Sequence, residues 1–173
     1  RAQLLADAGE LTAAVTLINQ VVAKAGGADG GAAPILLPIQ AQLQLSLGQV
    51  EQAEAVLAKA ARHIEPLQNS LLDTRLAFIR AWAALQAGRT AEARRWIDTA
   101  AQAPGFRPLR FIVPTLGALQ ARVLLAEGQL AAAQQAIDAE LAKLEREGVG
   151  NLAQRAEAWH TAGDVLLAAG QPA

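Results

Sequence analysis

The stretch Leu85-Gln86-Ala87-Gly88-Arg89-Thr90-Ala91-Glu92-Ala93 decides the fold, because its order recurs along the chain: apolar helix end, Gly, polar residue, and Ala five residues after the Gly. The order returns at Gly9, Gly48, Gly128 and Gly170, with spacings of 39, 40, 40 and 42 residues. Five residues after the first four glycines stand Ala14, Ala53, Ala93 and Ala133. Seven before the five stand Ala2, Ala41, Ala81, Ala121 and Gly163. Ile18, Leu57, Ile97 and Ile137 follow nine after the Gly, and Ala6, Leu45, Leu85, Leu125 and Leu167 precede it by three.

These offsets carry geometry. Positions -11, -7, -4 and -3 share one face of a helix that ends at the Gly, and +2, +5, +9 and +12 share one face of the next. The Gly stops the first helix because it alone enters the left-handed conformation without a steric penalty. Small residues at -7 and +5 let two antiparallel backbones approach closely, with Ile or Leu at +9 beside them. Such a hairpin cannot bury its apolar faces alone, so the hairpins must stack. The pattern predicts helices at about 1–8, 12–25, 35–47, 51–63, 70–87, 91–102, 109–127, 131–147 and 152–169, with Pro114 kinking the seventh or marking its true start. The repeats run about 1–33, 34–68, 69–107, 108–150 and a partial 151–173, and together form one domain. Gly26 to Gly31 reads as a link before a helix opened by Pro34 or Pro38, and Ser70-Leu71-Leu72-Asp73 has capping-box spacing.

Composition agrees. Of 173 residues, 53% are hydrophobic, mostly Ala and Leu, whereas aromatic residues reach only 3%. That mixture favours helices over sheets. Without Cys there is no disulfide, zinc ribbon or thiol nucleophile, and two His cannot build much of a metal site. A net charge of -1 gives no general attraction to nucleic acid or acidic membrane, and no apolar run is long enough to span a bilayer. The chain has neither an initiating Met nor a signal peptide, and Gly170-Gln171-Pro172-Ala173 falls where another helix should begin; the sequence therefore reads as a piece of a longer protein.

The small residue at -7, the Gly, the Ala at +5 and the large apolar residue at +9 resemble the tetratricopeptide repeat, and Trp159 stands where that family favours Trp. The period here is nearer 40 than the usual 34, and the family's aromatic at -4 is replaced by Leu5, Gln44, Ala84, Leu124 and Leu166. Leu124-Leu125-Ala126-Glu127-Gly128-Gln129-Leu130 and Ala87 to Ala93 are similar to the superhelical sensor domain of MalT-type, LuxR-class bacterial transcription activators. The resemblance implies a right-handed superhelix of stacked antiparallel hairpins in a cytoplasmic regulator, which binds an inducer or partner in its concave groove. The nucleotide-binding and helix-turn-helix modules of such regulators have no counterpart in this sequence, so no direct nucleic-acid contact is expected.

First helices line the concave surface of such solenoids. Offsets -13, -10, -6 and -2 then give Arg75, Phe78, Trp82 and Gln86 in repeat three, Thr115, Ala118, Arg122 and Ala126 in repeat four, and Glu157, His160, Asp164 and Ala168 in repeat five; Gln3, Asp7, Gln42 and Ser46 come from the first two. The expected ligand-binding set is Arg75, Phe78, Trp82, Gln86, Arg122, Glu157, His160 and Asp164: an aromatic platform with Arg and carboxylate neighbours. It suits a peptide, a protein segment or a small-molecule effector. Alternatively Phe78 and Trp82, about one turn apart, are core residues. Glu157, His160 and Asp164 share a helix face and form surface hydrogen bonds in preference to a metal site. No catalytic constellation emerges, so the chain reads as a non-enzyme without cofactor. Asp73 to Arg110 carries seven Arg against three acids, and Glu127 to Asp164 seven acids against three bases, an asymmetry that could support a homo-oligomer or steer an anionic partner. The competing reading is a general protein-interaction scaffold, in assembly or secretion machinery.

Overall fold

The computed structural model describes residues 10–102, 114–146 and 152–170. Among them stand eight α-helices and no strand: α1 Leu11–Lys24, α2 Ala33–Ser46, α3 Val50–Ile64, α4 Ser70–Gln86, α5 Thr90–Ala101, α6 Leu116–Ala126, α7 Leu130–Arg146 and α8 Leu152–Ala168. The expected helix at 1–8 lies outside the described residues. The fold is an all-α, tetratricopeptide-like arrangement of hairpins: α2 pairs with α3, α4 with α5 and α6 with α7. Contacts gather the chain into two compact units, Arg1–Phe106 and Arg107–Ala173. In the first, α1 packs on α2, and α4 packs on α2 and α3 as well as on α5; in the second, α8 packs on α6 and α7.

The repeated offsets explain the packing. Ala14, Ala53, Ala93 and Ala133 are each 0% exposed, and Ala41, Ala81 and Ala121 are equally hidden. Ile18, Leu57, Ile97 and Ile137 are buried beside them. With methyl groups alone between the backbones, each hairpin closes tightly and its β-branched or Leu neighbour fills the remaining space.

The turns are equally regular. Gly48, Gly88 and Gly128 have φ of 71°, 74° and 74°, in the left-handed region. Their N–H groups donate to the carbonyls of Leu45, Leu85 and Leu125, and the next residues, Gln49, Arg89 and Gln129, donate to Gln44, Ala84 and Leu124. This pair of bonds satisfies two carbonyls that a helix end otherwise strands, as in the Schellman motif.

Helix starts refine the sequence reading. α4 is capped by Asn69, whose Oδ1 accepts from the N–H groups of Leu71 and Leu72 at 3.1 and 3.2 Å, one residue earlier than the Ser70 capping box predicts. Asn69 thus satisfies two stranded donors with one oxygen. α6 begins at Leu116 behind Thr115, whose hydroxyl accepts from Ala118 N–H at 3.3 Å, so Pro114 precedes the helix and does not kink it. Pro34 stands in the first turn of α2, where its missing N–H costs nothing, whereas Pro38 lies inside that helix and is fully buried. Between α1 and α2 the glycine link forms a short 3₁₀ turn, Gly27–Asp29.

Candidate functional site

The expected lining residues divide between the units. In the second, Arg122 of α6 reaches across to α8. Its Nε donates to Thr161 Oγ1 at 3.1 Å, and its Nη2 pairs with Glu157 Oε1 at 2.7 Å and meets His160 Nδ1 at 3.3 Å. His160 Nδ1 is also 3.5 Å from Asp164 Oδ2. One nitrogen cannot serve both neighbours in one state: bare Nδ1 accepts from Arg122, and protonated Nδ1 donates to Asp164. Thr161 is wholly buried and donates its own hydroxyl proton to the Glu157 carbonyl at 3.0 Å, so it holds the guanidinium from beneath. The structure therefore brings Arg122, Glu157, His160 and Asp164 together, with Thr161 as an anchor that the sequence reading did not single out. Its signal was the residue between His160 and Ala162 on α8, 39 positions from Arg122, close to one repeat period.

Repeat three is different. Phe78 and Trp82 are 4% and 5% exposed, which corrects the expectation of an open aromatic platform. The physical reason is the number of neighbours. α4 meets α2, α3 and α5, so nine of its seventeen residues are buried, including those assigned by offset to the free face. Burial pulls the Arg75 guanidinium below its ordinary pKa, and neither its Nε nor the Trp82 Nε1 has a hydrogen-bond partner among the described residues. Gln86 is more open and donates its Nε2 proton to the Leu45 carbonyl at 3.2 Å, tying α4 to the end of α2. Gln42, expected on the same lining, is buried as well, and so are Thr115 and Ala118 of repeat four.

The sequence reading missed a surface pocket of about 280 Å³ within the first unit, lined by Glu54, Leu57, Ala58, Arg80, Ala83, Glu92 and Trp96. The Arg80 guanidinium lies 4.7 Å from the Trp96 ring centroid, a cation–π contact. Arg89 pairs with both Glu54 and Glu92, and Trp96 Nε1 donates to Glu92 at 3.3 Å. These two donors, Arg89 foremost, hold the Glu92 carboxyl below the usual carboxylate range. The charges that line the pocket are thus already engaged: Glu54 and Glu92 with Arg89 beside it, and Arg80 with Trp96 and, at 3.7 Å, with Glu65. His63 stands in the last turn of α3 and faces Asp29 at 3.8 Å.

Among the described residues no group of three or more His, Cys, Asp or Glu could hold a metal ion, and no helix is long and apolar enough to cross a membrane. Two stretches, residues 39–59 and 74–99, match the tetratricopeptide repeat family, and each falls within one hairpin of the first unit. The class of protein is therefore a tetratricopeptide-like repeat domain, and repeats of this kind serve as protein-interaction modules. No curated protein and no solved structure matches the chain.

Proposed function

We propose that this chain is a protein- or peptide-binding module that receives its partner on the polar first-helix face of the second unit. The observation that carries the reading is the Arg122, Glu157, His160 and Asp164 group: four charged or ionisable side chains from two helices, held by a buried Thr, with His160 and Asp164 open to solvent at 68% and 43% side-chain exposure. A partner's peptide group or side chain can exchange with the His160 and Asp164 contacts at little cost, because exposed ion pairs contribute only about 0–1 kcal/mol. Binding would then be set by the partner's hydrogen bonds, and chemistry on the partner is not part of the reading.

The finer form is an effector-sensing module of a MalT-type bacterial transcription regulator, working in the cytoplasm. It is supported by the period near 40 and by the phrases around Gly88 and Gly128. A small-molecule effector would use the same face. The test is a thermal-shift and calorimetric screen with peptides and metabolites. A ligand of this face should stabilise the chain by mass action, and Arg122→Ala with Glu157→Ala should remove that shift while leaving the unliganded melting temperature within a few degrees. A ligand whose shift survives both substitutions would sink the assignment of the face.

A further inference from the structure

Arg75 stands in the second turn of α4, half-buried, with Phe78 and Trp82 after it on the same face. Other arginines have a counter-charge. Arg80 has Glu65 at 3.7 Å as well as the Trp96 ring, Arg89 has Glu54 and Glu92, and Arg122 has Glu157 at 2.7 Å. Among the described residues no carboxylate pairs with Arg75, and its Nε is sealed from solvent without an acceptor.

The surrounding sequence explains the vacancy of charge. On a helix, the side chains that meet Arg75 stand three or four places away, and these are Leu71, Leu72, Phe78 and Ile79. α2, which packs on α4, carries no charged residue. On α3 and α5, Glu54 and Glu92 are held by Arg89, while Glu51 and Asp98 are exposed. Taking a guanidinium partly out of water without a counter-charge is costly, and burial accordingly lowers its pKa. A charge kept at that cost points to an anion supplied from outside the fold.

Two further observations agree. Of the Arg75 nitrogens only Nε is sealed, so the fork opens to the surface through its Nη groups. About 10 Å further along the helix axis, the buried Trp82 Nε1 is a second donor on this face without an acceptor. The segment from Asp73 to Arg110, with seven Arg against three acids, also draws anions toward this hairpin.

We propose that Arg75 anchors a binding site in the first unit for a carboxylate carried by a ligand, either the acidic side chain of a partner peptide or a small free carboxylic acid. Charge and shape fix the class. The two oxygens of a carboxylate match the planar fork of a guanidinium, and its single negative charge balances the single positive one. A phosphate dianion would instead leave a second charge in a half-buried place. The site shares no residue with the Arg122 group and goes beyond the polar-face reading.

The test uses the 173-residue chain with two probes: a peptide with acetylated and amidated ends and one central Glu among Ala and Ser residues, and free glutarate. Binding is read by calorimetry and by the Nε–H signals of the arginines in NMR spectra. Saturable binding of at least one probe is expected, moving the Arg75 signal, which is identified by its loss in Arg75→Met. Tighter binding of the peptide assigns the site to a partner protein, and tighter binding of glutarate assigns it to a small acid. Arg75→Met should weaken binding more than about tenfold and raise the melting temperature of the free chain by a few degrees, because an apolar side chain replaces an uncompensated charge. Arg75→Lys, which keeps the charge without the fork, should weaken binding less. The proposal is overturned if neither probe binds, if binding survives Arg75→Met, or if inorganic phosphate binds more tightly than both carboxylates. A lower melting temperature in Arg75→Met would also overturn it, since Arg75 would then be a structural residue. Arg122→Ala should leave this binding unchanged, so the two readings fail separately.

Discussion

α4 and α8 are first helices of equal length, 17 residues, with opposite surroundings. α4 has helices on three sides and hides its Trp; α8 packs on α6 and α7 and leaves its Trp largely open. An aromatic residue on a repeat's first helix is thus core or surface according to how many neighbours its helix has. Offset within the repeat does not decide it alone, since at -11 Ala77 of α4 is 3% exposed and Trp159 of α8 is 59%.

The comparison breaks most sharply at the two indoles. Trp82→Ala should cost about 3–5 kcal/mol in urea unfolding, the usual penalty for deleting a large buried aromatic. A loss below 1 kcal/mol would return Trp82 to an open groove. Next in size, Ala53→Leu or Ala93→Leu should overpack a hairpin and cost about 1–3 kcal/mol, measured in the same way. Removing the cap of α4 with Asn69→Ala should cost about 1 kcal/mol, whereas Ser70→Ala should be nearly neutral; reversed values would restore the cap to Ser70. Trp159→Ala should change stability by less than about 0.5 kcal/mol, which completes the contrast with Trp82. The smallest effect is on pH dependence. Because Arg89 depresses the Glu92 pKa in the folded chain, the stability this pair contributes is present above the ordinary carboxylate range and is lost as pH falls through the depressed value. Glu92→Gln should flatten that acid-side slope in melting experiments between about pH 5 and 2, in the range where carboxylates titrate.

The hairpins were legible because a small residue, a left-handed Gly, another Ala and an Ile or Leu at fixed offsets leave one way for two helices to meet. Ala53, Ala93 and Ala133 each turned out fully buried for that reason. The polar group of the second unit was legible in part, since Glu157, His160 and Asp164 share a face by spacing alone. Thr161 was not, because its role depends on Arg122 arriving from a helix 39 residues away. Phe78 and Trp82 stayed between groove and core in the sequence, and burial gives the core alternative, because periodicity identifies a face but says nothing about what covers it. The pocket around Trp96 escaped because it is assembled from three helices whose residues follow no common offset.

The hairpin glycines have a consequence for how such a chain can change length. Gly48 and Gly88 stand 40 residues apart with the same backbone conformation and the same pair of carbonyl bonds. Joining Gly48 directly to Arg89 would put Ala93 and Ile97 where Ala53 and Leu57 stood, so each excised period leaves a seam with the same small and large residues in phase. Gain or loss of whole periods at these glycines is therefore a permitted edit, whereas insertion of a few residues elsewhere in a hairpin would misalign every Ala behind it.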